Sequence, residues 1–181
     1  MIDSPEGTEF YANYFQKPGL AEAEFEKDIR TSLMKIYYAA SGTAGPRKEG
    51  DCTPNPFGMV SLQNGLLAPL PEQMPEWLTN EEFDVFINAF TPSGFRGGLN
   101  YYRNRVRNWE HEVALEGLKV VIPAPYMAGE RDTGFSIPGM KKIIEYMPNL
   151  VPRLTDTIVF EGAGHWLQQE KPDEVSKALC R

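Results

Sequence analysis

The chain has 181 residues, of which 41% are hydrophobic, and a formal net charge of −7. That length suits one domain or a domain and a part, and that apolar share excludes a disordered segment. The acidic balance, with no basic block, argues against nucleic acid or an anionic membrane as the main partner.

No apolar run reaches the roughly 18 residues of a membrane-spanning helix. The opening MIDSPEGTEF is polar and acidic, unlike a secretory leader. Cys52 and Cys180 are the only cysteines and sit in dissimilar contexts. Two free thiols in a reducing compartment, hence a cytoplasmic protein, is the simplest expectation.

Tyr11 to Gln16 is aromatic and is stopped by Pro18-Gly19. Ala21 to Tyr38 reads as one helix, with Ala21, Phe25, Ile29, Leu33, Ile36 and Tyr37 at helical spacing. Glycines and prolines make Ser41 to Phe57 a loop, and residues 58–78 stay irregular. Thr79-Asn80-Glu81-Glu82 is a capping box, opening a helix that carries Phe83, Phe86, Ile87 and Phe90 and ends at Pro92 and Gly94.

After the turn Gly94 to Gly98, a helix is expected from Leu99 to about Glu116, with Leu99, Tyr102, Val106, Trp109 and Val113 on its apolar side. Lys119 to Met127 has the unalternated apolar character of a buried parallel strand, weakened by Pro123 and Pro125. Ile137 to Tyr146 reads as a helix with Met140, Ile143 and Ile144 inward. A second strand, Asp156 to Phe160, leads through Gly162-Ala163-Gly164 to His165, and a short helix from Asp173 to Leu179 follows Pro172. The organisation is a helical module, about 1–107, then a β-α-β-α piece of a parallel sheet, about 108–181. Two strands do not make a covered parallel sheet by themselves, so association through the open edge, or a homodimer, is expected.

Asp132 and His165 each follow the end of a strand. Parallel neighbours would bring both to one edge of the sheet, where a carboxylate can orient an imidazole and leave its other nitrogen as a base. An N-terminal cap for Asp132 and a turn position for His165 are the plainer readings, and the matching strand ends favour the pair. His111 lies in a charged helical stretch and reads as a surface residue. Two histidines and two separated cysteines assemble no metal cluster, and no phosphate-binding glycine motif occurs. Spacing alone gives Tyr11 and Tyr102 the role of core aromatics.

Four stretches, YANYFQKPGLAEAEFE, SGFRGGLNYYRNRVRNWE, GERD and GAGHWLQQEKPDEV, resemble the soluble-type epoxide hydrolases of the α/β-hydrolase fold, in order and over nearly the whole chain. The resemblance implies a helical cap or lid over 1–107 and the C-terminal part of the α/β-hydrolase core over 108–181. It implies hydrolysis of a small-molecule epoxide to a vicinal diol through an alkyl-enzyme ester, with no cofactor and no metal. Tyr11 and Tyr102 match the lid tyrosines that protonate the epoxide oxygen. His165 matches the base that activates water, and Asp132 the acid that orients it. Tyr101 stands where the family often has tryptophan, which bears on pocket lining.

The family's attacking aspartate lies on a strand-to-helix elbow. None of Asp3, Asp28, Asp51, Asp84, Asp156 and Asp173 has that context, and Asp132 matches the relay acid. The chain alone is therefore expected not to turn over. A haloalkane or haloacetate dehalogenase of the same fold is the enzymatic alternative, which the tyrosine pair argues against. A non-catalytic lid or binding module is the other.

Overall fold

The computed structural model describes residues 6–44, 58–66, 68, 70–137 and 139–180. Cys52 and most of the expected loop up to Phe57 lie outside them, as do Asp3 and Asp51. The chain divides into two compact units, one of Met1–Ala39 with Asn55–Ala114, the other of Ala40–Pro54 with Leu115–Arg181.

In the first unit, β1 (Thr8–Phe10) runs straight into the single-turn helix α1 (Tyr11–Tyr14). Residues 58–66, expected to be irregular, instead supply β2 (Met59–Ser61) and β3 (Gly65–Leu66). The three strands form an antiparallel sheet in chain order, with Glu9 opposite Val60 and Ser61 opposite Gly65. Strands of two or three residues are too short to show an alternating pattern in sequence.

The expected single helix Ala21 to Tyr38 is two helices, α2 (Leu20–Phe25) and α3 (Ile29–Ala40). The break is local chemistry. Asp28 accepts the Thr31 amide at 3.0 Å and the Thr31 hydroxyl at 2.7 Å, a capping arrangement that starts a new helix. Phe25, Val60 and Phe83 are fully buried, with Phe15, Leu33, Leu78, Phe95 and Leu99 packed among them.

The capping box forms as read. The Glu82 amide donates to Thr79 Oγ1 at 3.2 Å, and Glu82 Oε2 accepts the Thr79 amide at 2.9 Å, opening α4 (Asn80–Ser93). The helix expected from Leu99 starts earlier and is split into α5 (Arg96–Arg103) and α6 (Arg105–Glu112). At the joint, the Asn104 side-chain amide donates to the Asn100 carbonyl at 2.9 Å, alongside the Asn104 backbone amide at 3.0 Å. Such a side-chain bond competes with the regular ladder.

In the second unit, β4 (Ala124–Gly129) and β5 (Leu154–Phe160) are parallel, joined by α7 (Met140–Leu150). Tyr126 faces Thr157, and Gly129 faces Phe160. The strand starts later than Lys119, and its register shifts between Ala124 and Tyr126, where Pro125 has no amide to give the ladder.

The expectation of a buried strand with Ile143 inward needs correction. Val121 and Ile122 are 65% and 66% exposed, and Ile143 is 52% exposed. Among the described residues, no second layer covers that apolar surface. What is buried is a small cluster of Ala163, Leu167 and Val175, backed by Met127 and Phe160. It seats the turn after β5 against α8 (Leu167–Glu170) and α9 (Pro172–Leu179). No helix among the described residues is long and apolar enough to cross a membrane.

Candidate active site

The two strand ends meet as parallel neighbours should. Beyond Gly129, the Glu130 amide donates to the Phe160 carbonyl at 2.9 Å, and the Arg131 amide to the Ala163 carbonyl at 2.8 Å. The pairing thus continues past the sheet into the glycine turn, delivering Asp132 to His165. Both Asp132 carboxylate oxygens lie 3.2 Å from His165 Nδ1. Asp132 Oδ1 also accepts the Gly134 amide at 2.6 Å, capping the 3₁₀ turn Thr133–Ser136. Cap and histidine partner are one carboxylate.

The His165 side chain is about half exposed, 51%, and Asp132 less so, 21%. The bond to Asp132 raises the imidazole above its ordinary range, working against burial, and the Glu170 charge adds to the rise. With Nδ1–H given to Asp132, a neutral ring carries its lone pair on Nε2, as a water-activating base needs. Burial, with the Asp132 charge, also raises the nearby Tyr126 phenol.

The first unit holds the tyrosines. Tyr11 is placed by the end of β1, where its amide donates to the Gly58 carbonyl at 2.6 Å. Tyr102 lies on α5. Their rings meet edge to face with centroids 5.5 Å apart, and Phe15 packs against both. Burial raises both phenols, Tyr11 further through Tyr102. Each stays a neutral donor well past neutral pH.

Two side chains that the sequence did not single out tie α5 to the segment after α1. Gln16 Nε2 donates to the carbonyls of Ala12 at 2.8 Å and Tyr102 at 2.9 Å. Arg103 is bidentate on Glu22, at 2.6 and 2.8 Å, and its Nε donates to the Phe15 carbonyl at 2.9 Å. That pair holds Glu22 down to about 2. A three-residue helical partner is visible in sequence, but a pairing across 81 positions is not. His111 is exposed on α6, and no group of three metal-ligating side chains occurs among the described residues.

A parallel pair whose strand ends carry acid and histidine in that order is the arrangement found in the C-terminal part of the α/β-hydrolase fold. Comparison with known proteins narrows it. The chain is 36% identical over 172 residues to epoxide hydrolase A of Mycobacterium tuberculosis, covering 94% of this chain and 50% of that one. Epoxide hydrolase 1 of Siraitia grosvenorii is 33% identical, with 96% and 52% covered. Among solved structures, an epoxide hydrolase from an endophytic Streptomyces superposes with a TM-score of 0.83 at 36% identity, covering 97% and 51%. Potato (Solanum tuberosum) epoxide hydrolase I gives 0.75 at 33%, covering 94% and 51%. No family model matches. The chain is thus similar to epoxide hydrolases over nearly all of its own length, and it spans about half the length of these relatives.

Proposed function

We propose that this chain carries the acid pair and the water-activating base of an epoxide hydrolase, which adds water to an oxirane to give a vicinal diol. Tyr11 and Tyr102 donate hydrogen bonds to the oxirane oxygen and protonate it as a carboxylate opens the ring. A neutral phenol is a weak acid, but the developing alkoxide is strongly basic, so the transfer runs downhill as charge builds. The product of that step is an alkyl-enzyme ester. His165 Nε2 then takes a proton from water, hydroxide adds to the ester carbonyl, and the diol leaves as the carboxylate is restored; the imidazolium proton afterwards returns through water to the tyrosinate that ring opening left. Asp132 holds the ring and balances its charge meanwhile.

The observation that carries this reading is the Asp132–His165 contact through Nδ1, which leaves Nε2 to the water. Asp132 is engaged there, so the attacking carboxylate is a residue other than Asp132, and among the described residues no other aspartate stands at a strand-to-helix elbow. The substrate is a small epoxide, with no cofactor or metal in the chemistry. The exposed free thiol of Cys180 suits a reducing, cytoplasmic setting. Partners engage through the open edge of the β4–β5 pair, as a homodimer or with a further chain.

The test is styrene oxide hydrolysis by the purified chain, alone and mixed with the complementary half of an epoxide hydrolase relative. Turnover is expected only in the mixture, and His165→Gln abolishes it. Turnover by the chain alone that His165→Gln removes would overturn the assignment of the attacking carboxylate elsewhere. A mixture that folds together but turns over equally well with His165→Gln would overturn the role of His165.

A further inference from the structure

Glu170 is absorbed by neither the acid pair nor the base, yet it touches backbone on both sides of His165. Its Oε2 accepts the Gly42 amide at 2.9 Å and the Gly164 amide at 3.0 Å. Its Oε1 accepts the Trp166 amide at 3.2 Å. The amides on both sides of His165 are therefore held by one carboxylate, which also reaches a glycine more than a hundred positions earlier. Three amides on an ionised acceptor are charge-assisted bonds, stronger than neutral ones.

The backbone around these bonds is in close approach. The His165 amide itself donates to the Ala40 carbonyl at 2.9 Å. Arg131 Nη1 donates to the Gly42 carbonyl at 2.9 Å, so Gly42 is held by both of its polar groups. A Cβ on Gly42 would overlap the Gly162 carbonyl oxygen, and one on Gly164 would overlap the Gly42 nitrogen and the Ser41 carbonyl carbon. Only glycine lets the two segments lie this near. The turn is pinned on one side by Ser41-Gly42 and on the other by the end of β4.

We propose that Glu170 is a positioning residue for His165, clamping the turn that carries it onto the Ser41-Gly42 backbone. The inference rests on the role given to His165 above. The charged groups that act on the His165 ring are Asp132, through its hydrogen bond, and Glu170, through space. Removing the Glu170 charge thus loosens the turn and lets the imidazole release its proton at lower pH. Asp132 is bonded to the ring; Glu170 works through the backbone on either side of it.

The test uses the whole chain and needs no epoxide. The imidazole resonances of His165 are titrated by NMR, and amide exchange is followed at Gly42, Gly164 and Trp166. Glu170→Gln is expected to speed exchange at Gly42 and Gly164 about tenfold, the order set by losing charge-assisted bonds, and to lower the His165 midpoint. Glu170→Asp keeps the charge but is too short to reach all three amides. It should speed the same exchange and leave the midpoint nearer the wild type. It also serves if Glu170→Gln does not fold. Arg131→Gln should loosen Gly42 alone. Exchange at Gly42 and Gly164 unchanged in either Glu170 variant would overturn the proposal, as would a wild-type midpoint in Glu170→Gln. Neither outcome bears on whether His165 activates water.

Discussion

The Asp132 carboxylate presents both oxygens to His165 Nδ1 at 3.2 Å, while one of them also accepts the Gly134 amide at 2.6 Å. Two substitutions separate these duties. Asn can still cap the turn but brings no charge; Ala does neither. Asp132→Ala is expected to cost about 1 kcal/mol more stability than Asp132→Asn, the usual worth of a cap. Both should lower the His165 midpoint by similar amounts. Chemical denaturation and imidazole NMR check the two halves independently.

The same contact sets a pH window. The folded His165 midpoint lies above its ordinary value of 6.5. Its interaction with Asp132 stabilises the fold fully below that ordinary value, and the contribution is lost as pH rises through the raised midpoint. On the role proposed for His165, ester hydrolysis needs the neutral ring, so activity of the reconstituted protein should climb over the range where this stabilisation falls. A pH–rate profile centred below 6.5 would contradict the geometry.

The tyrosine pair makes a kinetic prediction. Tyr11→Phe and Tyr102→Phe should each slow ring opening about a hundredfold, as for loss of a positioned acid. Ester hydrolysis should be untouched, because the proposed mechanism gives neither phenol a part in it. Rapid-mixing kinetics on the reconstituted enzyme separate the two steps. In the isolated chain, both phenols should ionise later than free tyrosine, because burial raises both.

The Glu22–Arg103 pair should govern acid stability of the first unit. Its side chains are 13% and 14% exposed. Glu22→Gln leaves the guanidinium under-partnered and should cost about 3 kcal/mol, the lower end for breaking a buried pair. In the wild type, the stabilisation is present above the ordinary glutamate range and is lost as pH falls from 4.5 toward about 2. A flat acid unfolding profile over that range would count against it.

The exposed apolar surface of the second unit should drive self-association of the isolated chain. Ile122→Lys with Val159→Lys puts charge on two side chains that are 66% and 54% exposed. Association, read by sedimentation, should weaken. The unfolding midpoint should hardly move, since exposed substitutions usually stay within about 0.5 kcal/mol.

How far the sequence reads itself depends on distance along the chain. The Thr79–Glu82 capping box, the helix with Phe83, and the strand leading to His165 are local patterns, and all three form. The splits at Asp28 and Asn104 were local too, but a single polar side chain is a weak mark inside an apolar period. The Asp132–His165 contact followed from two strand ends of like type. The Tyr11–Tyr102 contact did not follow from spacing; only the family resemblance suggested it. The Glu170 contacts are illegible in the sequence because its partners are backbone amides, and backbone carries no sequence signature. The exposure of Ile143 departs from its apolar spacing because an apolar helical stripe says what a face prefers, not whether anything covers it.

The tie between Gln16 Nε2 and the Tyr102 carbonyl spans 86 positions. A contact that far apart closes a long loop, and its entropic cost falls due before the contact returns anything. The edge-to-face packing of the two phenols should therefore be among the last native features to appear on refolding. Near-ultraviolet circular dichroism of the tyrosines would lag behind the helical signal. In this unit, the pairing of the two phenols and the completion of folding should coincide.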